Sequence, residues 1–528
     1  MVVPSAAGAL THWVYFSHGE HHLSAPWLLR IALLSPVLVW VVLFKFGNMD
    51  PTQAGISTGE VIVSYFTGLY SSILLYRVFF HRLRKFPGPF MAKVSKLWHV
   101  FKLAPRSDNF RVLDELHTQY GDYVRTGACG ETSAYIMCLG PSEISISDPD
   151  AIQVLLGPGS KCTKAPWYDA NYPVISLHTL RDKKAHDVRR RIWDRGFGAK
   201  GLISGFPSGS LRDYEDRVFQ YSKDLERQIK SRSDQVINAT EWFHFYSFDV
   251  MADIAFGKSF EMIQTGKPHF AFDLLREGMR PLGVLGPVPW AFCVLTSIPG
   301  LGDVPDVMSW LIESSEKRAQ SGIKQAGEEQ ALLHSDSRLI IVAGSDTTAS
   351  TLTYTFYLLA QNAAHQHKLR DELAAIVEED GSFSFKALQN ADHLNGVINE
   401  ALRLYPAIDP SWRVLQSGTL LFLAIRRLWH LSIRWDASCY ENAAEFIPER
   451  WYSKPELVKN KKAFAPFSTG NLPLLALMEL RMVVALLVSK FSVQFAPGED
   501  GKRLLDNSKD FFTISIAELN LVFSPMER

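Results

Sequence analysis

Gly344-Ser345-Asp346-Thr347-Thr348 is the densest polar cluster in the stretch Ser337–Asn362, which is otherwise mostly apolar. A carboxyl and a hydroxyl side by side in a buried helix could carry protons where bulk water is excluded. A polar break at mid-helix also bends the helix, because a Ser or Thr hydroxyl can bond back to an earlier carbonyl. Taken alone, the cluster reads as a satisfied kink in a core helix. Further along, Glu400-Ala-Leu-Arg403 puts a carboxylate and a guanidinium on one helical face. Phe446-Ile-Pro-Glu-Arg450-Trp451 then follows an extended segment. Upstream, His186-Asp-Val-Arg-Arg190-Arg-Ile-Trp193 is a basic stretch with helical spacing. Singly, the Glu/Arg pair reads as a solvated surface pair and the basic stretch as a solvated face.

Together, and in the order Ala-Gly-x-Asp-Thr-Thr, Glu-x-x-Arg, Pro-Glu-Arg-Trp, these motifs resemble the cytochrome P-450 family. The resemblance runs from about Pro87 to Phe523. It is closest to the membrane-bound fungal branch that ends in Phe-Ser-Thr-Gly and Leu-Ala-Leu-Met-Glu-Leu-Arg, here Phe467–Gly470 and Leu475–Arg481. It implies a mainly α fold with a small β region, the cytochrome P-450 fold, behind an N-terminal membrane anchor. The implied function is that of a haem-thiolate monooxygenase hydroxylating a lipophilic small molecule in fungal secondary metabolism, with electrons from an NADPH-cytochrome reductase. By the same resemblance, Thr347 steadies the activated-oxygen intermediate, Asp346 relays protons, and Ala343 and Gly344 leave room for oxygen. His186, where Trp is common in the family, and Arg190 are implied to bind the haem propionates. Cations suit a dianionic cofactor edge, and Arg can grip a carboxylate in two-pronged fashion. Glu400, Arg403 and Arg450 are implied to form a buried, architectural triad.

The chain departs from the family pattern in two places. The family's iron ligand is a Cys thiolate, whose electron donation favours O–O cleavage. It belongs in a pattern Phe-x-x-Gly-x-x-x-Cys-x-Gly ahead of the final motif. Counting forward from Gly470 gives Leu474, whereas counting back from Leu475 gives Gly470 itself. The two anchors disagree by four residues, so Asn471-Leu-Pro-Leu474 reads as a shortened ligand loop, and no cysteine lies between Gly470 and Leu475. The second place is Val414–Trp435, where the family has a strand pair joined by a Pro-Gly turn. Leu423–Trp435 is instead basic and without turn residues. A one-base shift of reading frame permits Pro-Gly-Asp-Thr-Thr-Val-Val-Ala-Pro-Ile-Asp-Thr-Leu across those codons, which points to a frame slip or displaced exon boundary. On the sequence as it stands, the alternative is a P-450-like protein that binds a lipophilic ligand or a partner without catalysis.

These motifs need a large helical core around them. Of the 528 residues 47 % are hydrophobic, and no low-complexity linker follows Pro89, so residues 87–528 read as one catalytic domain. A formal net charge of zero gives no electrostatic footprint for nucleic acid. Five cysteines (129, 138, 162, 293 and 439) without a Cys-x-x-Cys spacing argue against a disulfide framework or a zinc site. Residues 1–86 read as a membrane anchor with one or two spanning helices, at about 27–46 and 60–80. Phe46-Gly-Asn-Met-Asp offers no small-residue cleavage site for a signal peptide. The basic run His81–Lys85 predicts a cytosolic catalytic domain by the positive-inside rule, and the resemblance places it on the endoplasmic reticulum.

The remaining expectations are local. Tyr120–Arg125 and Tyr135–Gly140 read as strands, and Asp148 as the cap of a helix starting at Pro149. Lys161–Leu180 reads as a loop, which the resemblance turns toward substrate. Trp242–Phe260 reads as a core helix closed by Gly257. Met279, Leu282, Val284, Leu285, Trp290 and Phe292 are candidates either for a lipophilic site or for core packing.

Overall fold

The structure is a computed structural model. It describes residues 1–526 apart from 128–142, 158, 171, 173–174, 198–209, 299–326, 409–412, 416–423, 427–436, 468–473 and 512. The main helices, in chain order, are α1 (Val2–Thr11), α2 (Ala25–Phe46), α3 (Pro51–Leu75), α4 (Lys183–Phe197), α5 (Ser210–Lys230), α6 (Ala239–Phe256), α7 (Phe270–Leu285), α8 (Pro289–Thr296), α9 (Gly327–Gln361), α10 (Ala363–Ala374), α11 (Asp392–Leu404) and α12 (Leu474–Lys490).

The core forms around α9. At about 1.5 Å per residue this 35-residue helix is about 52 Å long. From Leu352 to Leu359 every residue is buried, although the run includes two threonines. Their hydroxyls are satisfied inside the helix: Thr353 donates to the Ala349 carbonyl (2.8 Å) and Thr355 to that of Thr351 (2.7 Å). Helix α6 packs along α9, with the Phe243 and Phe356 rings 5.0 Å apart. As the sequence predicts, Gly257 ends α6: its φ of 67° is left-handed, and its N–H bonds the Asp253 carbonyl at 2.7 Å. Helix α12, buried from Met478 to Val488, packs on both α5 and α9 and completes the core.

Among the described residues, three small sheets flank the helices. β1 (Tyr123–Gly127), β2 (Glu143–Ile146), β3 (Cys162–Lys164), β5 (Arg413–Leu415) and β6 (Ala424–Arg426) form one sheet in the order β1-β2-β6-β5-β3. β4 (Val236–Asn238), β7 (Phe491–Phe495) and β10 (Asn520–Pro525) form a second, and β8 (Lys509–Phe511) pairs with β9 (Thr513–Ser515) in a hairpin.

Several expectations change here. A strand pair forms across the altered stretch, with Arg413 opposite Ile425 and Val414 opposite Ala424, and of the two strands only β6 falls within the basic segment. β2 and β3 extend the pair on either side. The helix expected from Pro149 begins at Ala151, because the first turn closes on carbonyls three residues back (Ala151 N–H on Asp148 and Ile152 N–H on Pro149, both 3.2 Å), while the Asp148 carboxylate accepts from the Asp150 N–H (2.9 Å) and the Tyr123 hydroxyl (2.6 Å). The loop 161–180 contains β3 and a 3-10 turn, Pro166–Asp169, that buries Trp167 and Tyr168 while Tyr172 is exposed. Tyr135–Gly140 lies outside the described residues.

At the N-terminus, Ala25–Phe46 and Pro51–Phe80 are long and apolar enough to cross a membrane. Asp50 starts α3 by accepting from the Thr52 N–H at 2.8 Å. Helix α1, which the sequence reading did not foresee, lies against α3.

Candidate active site

Two neighbouring residues of α9 point in different directions. Ala343 and Thr347, four apart, share one face of the helix; Ala343 is exposed and Thr347 half-exposed, while Ser345, Thr348 and Ala349 are buried. On this face the core helix leaves a small residue and a hydroxyl accessible between buried neighbours. The Thr347 hydroxyl donates to the Ala343 carbonyl at 2.7 Å. Asp346 turns instead toward β9, where its carboxylate accepts from the Thr513 hydroxyl at 3.3 Å. His244, Phe272, Arg276 and Met279 line the same small cavity. Burial raises the Asp346 carboxyl to about 6, against the opposing pull of the Thr513 hydrogen bond and the Arg276 charge. His244, lowered to about 4 by burial, is neutral there and donates through Nδ1 to the Thr240 carbonyl (2.8 Å).

A Cβ placed on Gly344 would meet the Met251 side chain at 2.4–2.9 Å, so its small size serves the contact of α9 with α6. Ala343 of the same pair lies on the accessible face.

The triad is assembled and fully buried. Glu400 receives Arg403 on both oxygens (2.8 and 2.9 Å) and Arg450 Nε on Oε1 (2.8 Å). Two donors absent from the sequence reading complete the carboxylate: the Trp451 indole N–H (2.9 Å) and the Ile447 N–H (3.1 Å). The remaining guanidinium hydrogens go to backbone carbonyls, Arg403 to Ala443 (2.7 Å) and Arg450 to Glu441 (3.0 Å). Trp451 is the last residue of the Pro-Glu-Arg-Trp motif, so the sequence held this partner without signalling its bond to Glu400.

His186 and Arg190 lie on α4, as expected, each beside a carboxylate of the same helix. His186 Nδ1 is 3.3 Å from Asp187, and Arg190 Nε donates to Asp194 at 2.8 Å. Burial and the Lys164 charge lower the His186 pKa. A neighbouring contact was missed. Buried Asp336 at the start of α9 accepts from Arg189 (2.6 Å), the Trp193 indole (2.9 Å) and the Leu177 N–H (2.8 Å). It ties α4 and the 161–180 loop to the central helix, and only the crossing of the helices reveals it.

The residues present do not fit a thiolate-ligated haem. Among the described cysteines, Cys439 is buried in a separate cluster with Tyr440, Ala443 and Ala463. Cys162 lies in β3 and Cys293 in α8. No cysteine occurs after position 439, so none can stand in the segment that leads into α12. Of the shortened ligand loop Asn471–Leu474, residues 471–473 lie outside the described residues and Leu474 opens α12. The Ala343–Thr347 face is accessible, but the donor is missing.

The profile of the family described as Cytochrome P450 matches residues 87–285 and 306–519. The chain is 36 % identical to Tryprostatin B 6-hydroxylase of Neosartorya fischeri, over 98 % of this chain and 96 % of that protein. It is 35 % identical to Cytochrome P450 monooxygenase lcsK of Purpureocillium lilacinum, with the same coverage. Among solved structures, the haem domain of cytochrome P450DA superposes with a TM-score of 0.62 at 14 % identity, covering 81 % of this chain and 94 % of that one.

Proposed function

The chain belongs to the cytochrome P450 family, and on that premise we propose a monooxygenase of fungal secondary metabolism that hydroxylates a lipophilic small molecule. The observation that carries this reading is the separation of roles on α9: the Thr347 hydroxyl lies on the accessible face, while Asp346 lines a cavity with Thr513, Arg276 and His244. An acid near 6 can take up and release a proton at physiological pH, and Thr513 connects it to β9. The buried triad has an architectural role, holding α11 to the segment 441–451, and no chemical one. Family membership implies haem as cofactor; His186 and Arg190 are the proposed propionate partners. Electrons come from an NADPH-cytochrome reductase. Residues 1–86 anchor the protein in the endoplasmic reticulum membrane, with the catalytic domain, 87–528, in the cytosol; the apolar helices and the basic run His81–Lys85 support this.

The thiolate donor that would hold the haem iron is absent from the sequence. The second reading is a P450-like protein that binds a lipophilic ligand without oxidising it, which the similarity to a hydroxylase and a monooxygenase does not support. The transcript across Val414–Arg481 separates the two. The monooxygenase reading expects it to encode Phe-Ser-Thr-Gly followed by a Cys-containing loop, together with the shifted frame across Leu423–Trp435. A transcript that encodes the present residues contradicts it.

A further inference from the structure

The segment between α1 and α2, Ser17–Ser24, is polar and is bound to the catalytic domain. Arg181 grips Glu20 with two parallel hydrogen bonds, Nη1 to Oε2 and Nη2 to Oε1, both 2.8 Å. The same Nη1 donates to Asp169, and Nε donates to the Lys164 carbonyl at 2.9 Å. His22 Nε2 lies 2.8 Å from Asp169. The side chains are 6–23 % exposed, so this cluster is largely removed from water and stronger than a surface pair. Although burial opposes ionisation of Asp169, its bonds to His22 and Arg181 outweigh that and lower its pKa.

Both ends of the apolar pair return to the same domain. The start of α2 packs against α8, which also touches the 3-10 turn bearing Asp169. Beyond α3, Arg77 donates to the Val94 carbonyl at 2.7 Å, and Arg125 to the Arg77 carbonyl at 3.3 Å. Between them lie 22 residues outward, a turn at Gly47–Asp50 and 25 residues back. Twenty-two helical residues extend about 33 Å, close to the roughly 30 Å hydrocarbon core of a bilayer. Helix α1, at ten residues about 15 Å long, is too short to cross. It lies on α3 through a glycine contact, where a Cβ at Gly8 would fall 2.1 Å from the Tyr65 carbonyl oxygen and one at Gly68 1.9 Å from that of Ser5.

We infer that α2 and α3 form a two-pass hairpin with the N-terminal residues on the same membrane face as the catalytic domain, where Glu20 and His22 latch onto Arg181 and Asp169. The inference rests on the reading that these helices cross a membrane. A single crossing would put Glu20 and Arg181 on opposite faces, where they could not touch. The latch also pins the 161–181 segment, with Asp169 and Arg181 near its middle and end, to the base of the anchor.

Glycosylation mapping of the full-length chain in microsomes tests the topology. A spacer-flanked acceptor cassette inserted between Asn48 and Met49 should acquire glycan and shift in mobility, while the same cassette ahead of Val2 should not. Modification of the N-terminal cassette, or an unmodified turn cassette, overturns the hairpin. Failure of both cassettes to be modified would sink the membrane-crossing reading with it, whereas modification of the N-terminal cassette alone would leave one crossing intact. The latch is read separately, by linking Glu20→Cys to Arg181→Cys with a short bismaleimide in intact microsomes. A cross-link, detected as loss of fragment separation after proteolysis between the two sites, is expected. With each introduced cysteine labelled in its own variant and no cross-link formed in the double variant, the latch is refuted.

Discussion

A carboxyl raised to about 6 in a folded protein holds its proton more tightly than the same carboxyl in the unfolded chain, and Asp346 is such a group. Between about pH 4 and 6 the native state therefore binds the extra proton, and stability falls as the pH rises. Above pH 6 the buried charge exerts its full cost. Asp346→Asn removes that cost, so the variant should gain on the parent by at most about 3 kcal/mol at pH 8, with the gain vanishing near pH 4. Denaturant unfolding at the two pH values measures it; an equal difference at both would show that Asp346 ionises normally. The motif Ala-Gly-x-Asp-Thr-Thr made Asp346 and Thr347 legible as a pair, but not their divergence. Adjacent positions on a helix lie about 100° apart, so only the surroundings decide that Thr347 lies on the accessible face and Asp346 meets β9. The packing contact of Gly344 was hidden for the same reason: Met251 is 93 positions away and invisible to local spacing.

Among the elements, α11 and the 3-10 segment Pro448–Trp451 depend on one carboxylate. Glu400 pairs with two guanidinium groups in a site with almost no solvent contact, its single negative charge shared between them. Glu400→Gln keeps the volume but leaves Arg403 and Arg450 with uncompensated charge, and should cost about 3–5 kcal/mol. Urea unfolding checks this; a loss below about 1 kcal/mol would mean that the backbone carbonyls of Glu441, Ala443 and Glu445 suffice to hold both arginines. Spacing alone made Glu400 and Arg403 readable as a pair on one helical face. Joining them to Arg450 took the family resemblance, because the intervening chain carries no periodic signal. The strands were harder. β2 is only four residues, Glu-Ile-Ser-Ile, and β5 and β6 are three each, too short for alternation to stand out. Helix α1 escaped because its small residues, Ser-Ala-Ala-Gly-Ala, look like a loop until Gly8 and Gly68 bring it against α3.

The whole molecule keeps the family's core while its sequence omits the family's metal donor. Helix α9 buried through the centre, α6 and α12 around it and the closed triad are all in place, and each depends on residues spread from Trp242 to Arg481. A core this complete is expected of a chain selected for the family's chemistry, and the missing thiolate is confined to the few residues before α12. The most direct measurement is the carbon monoxide spectrum of the reduced protein after a loop of the form Gly-x-x-x-Cys-x-Gly replaces Gly470–Leu474. The account predicts that the restored chain incorporates haem and gives a thiolate-type spectrum, which the unaltered chain does not give. A restored chain that folds and takes up no haem would contradict it, leaving a binding protein built on the same fold.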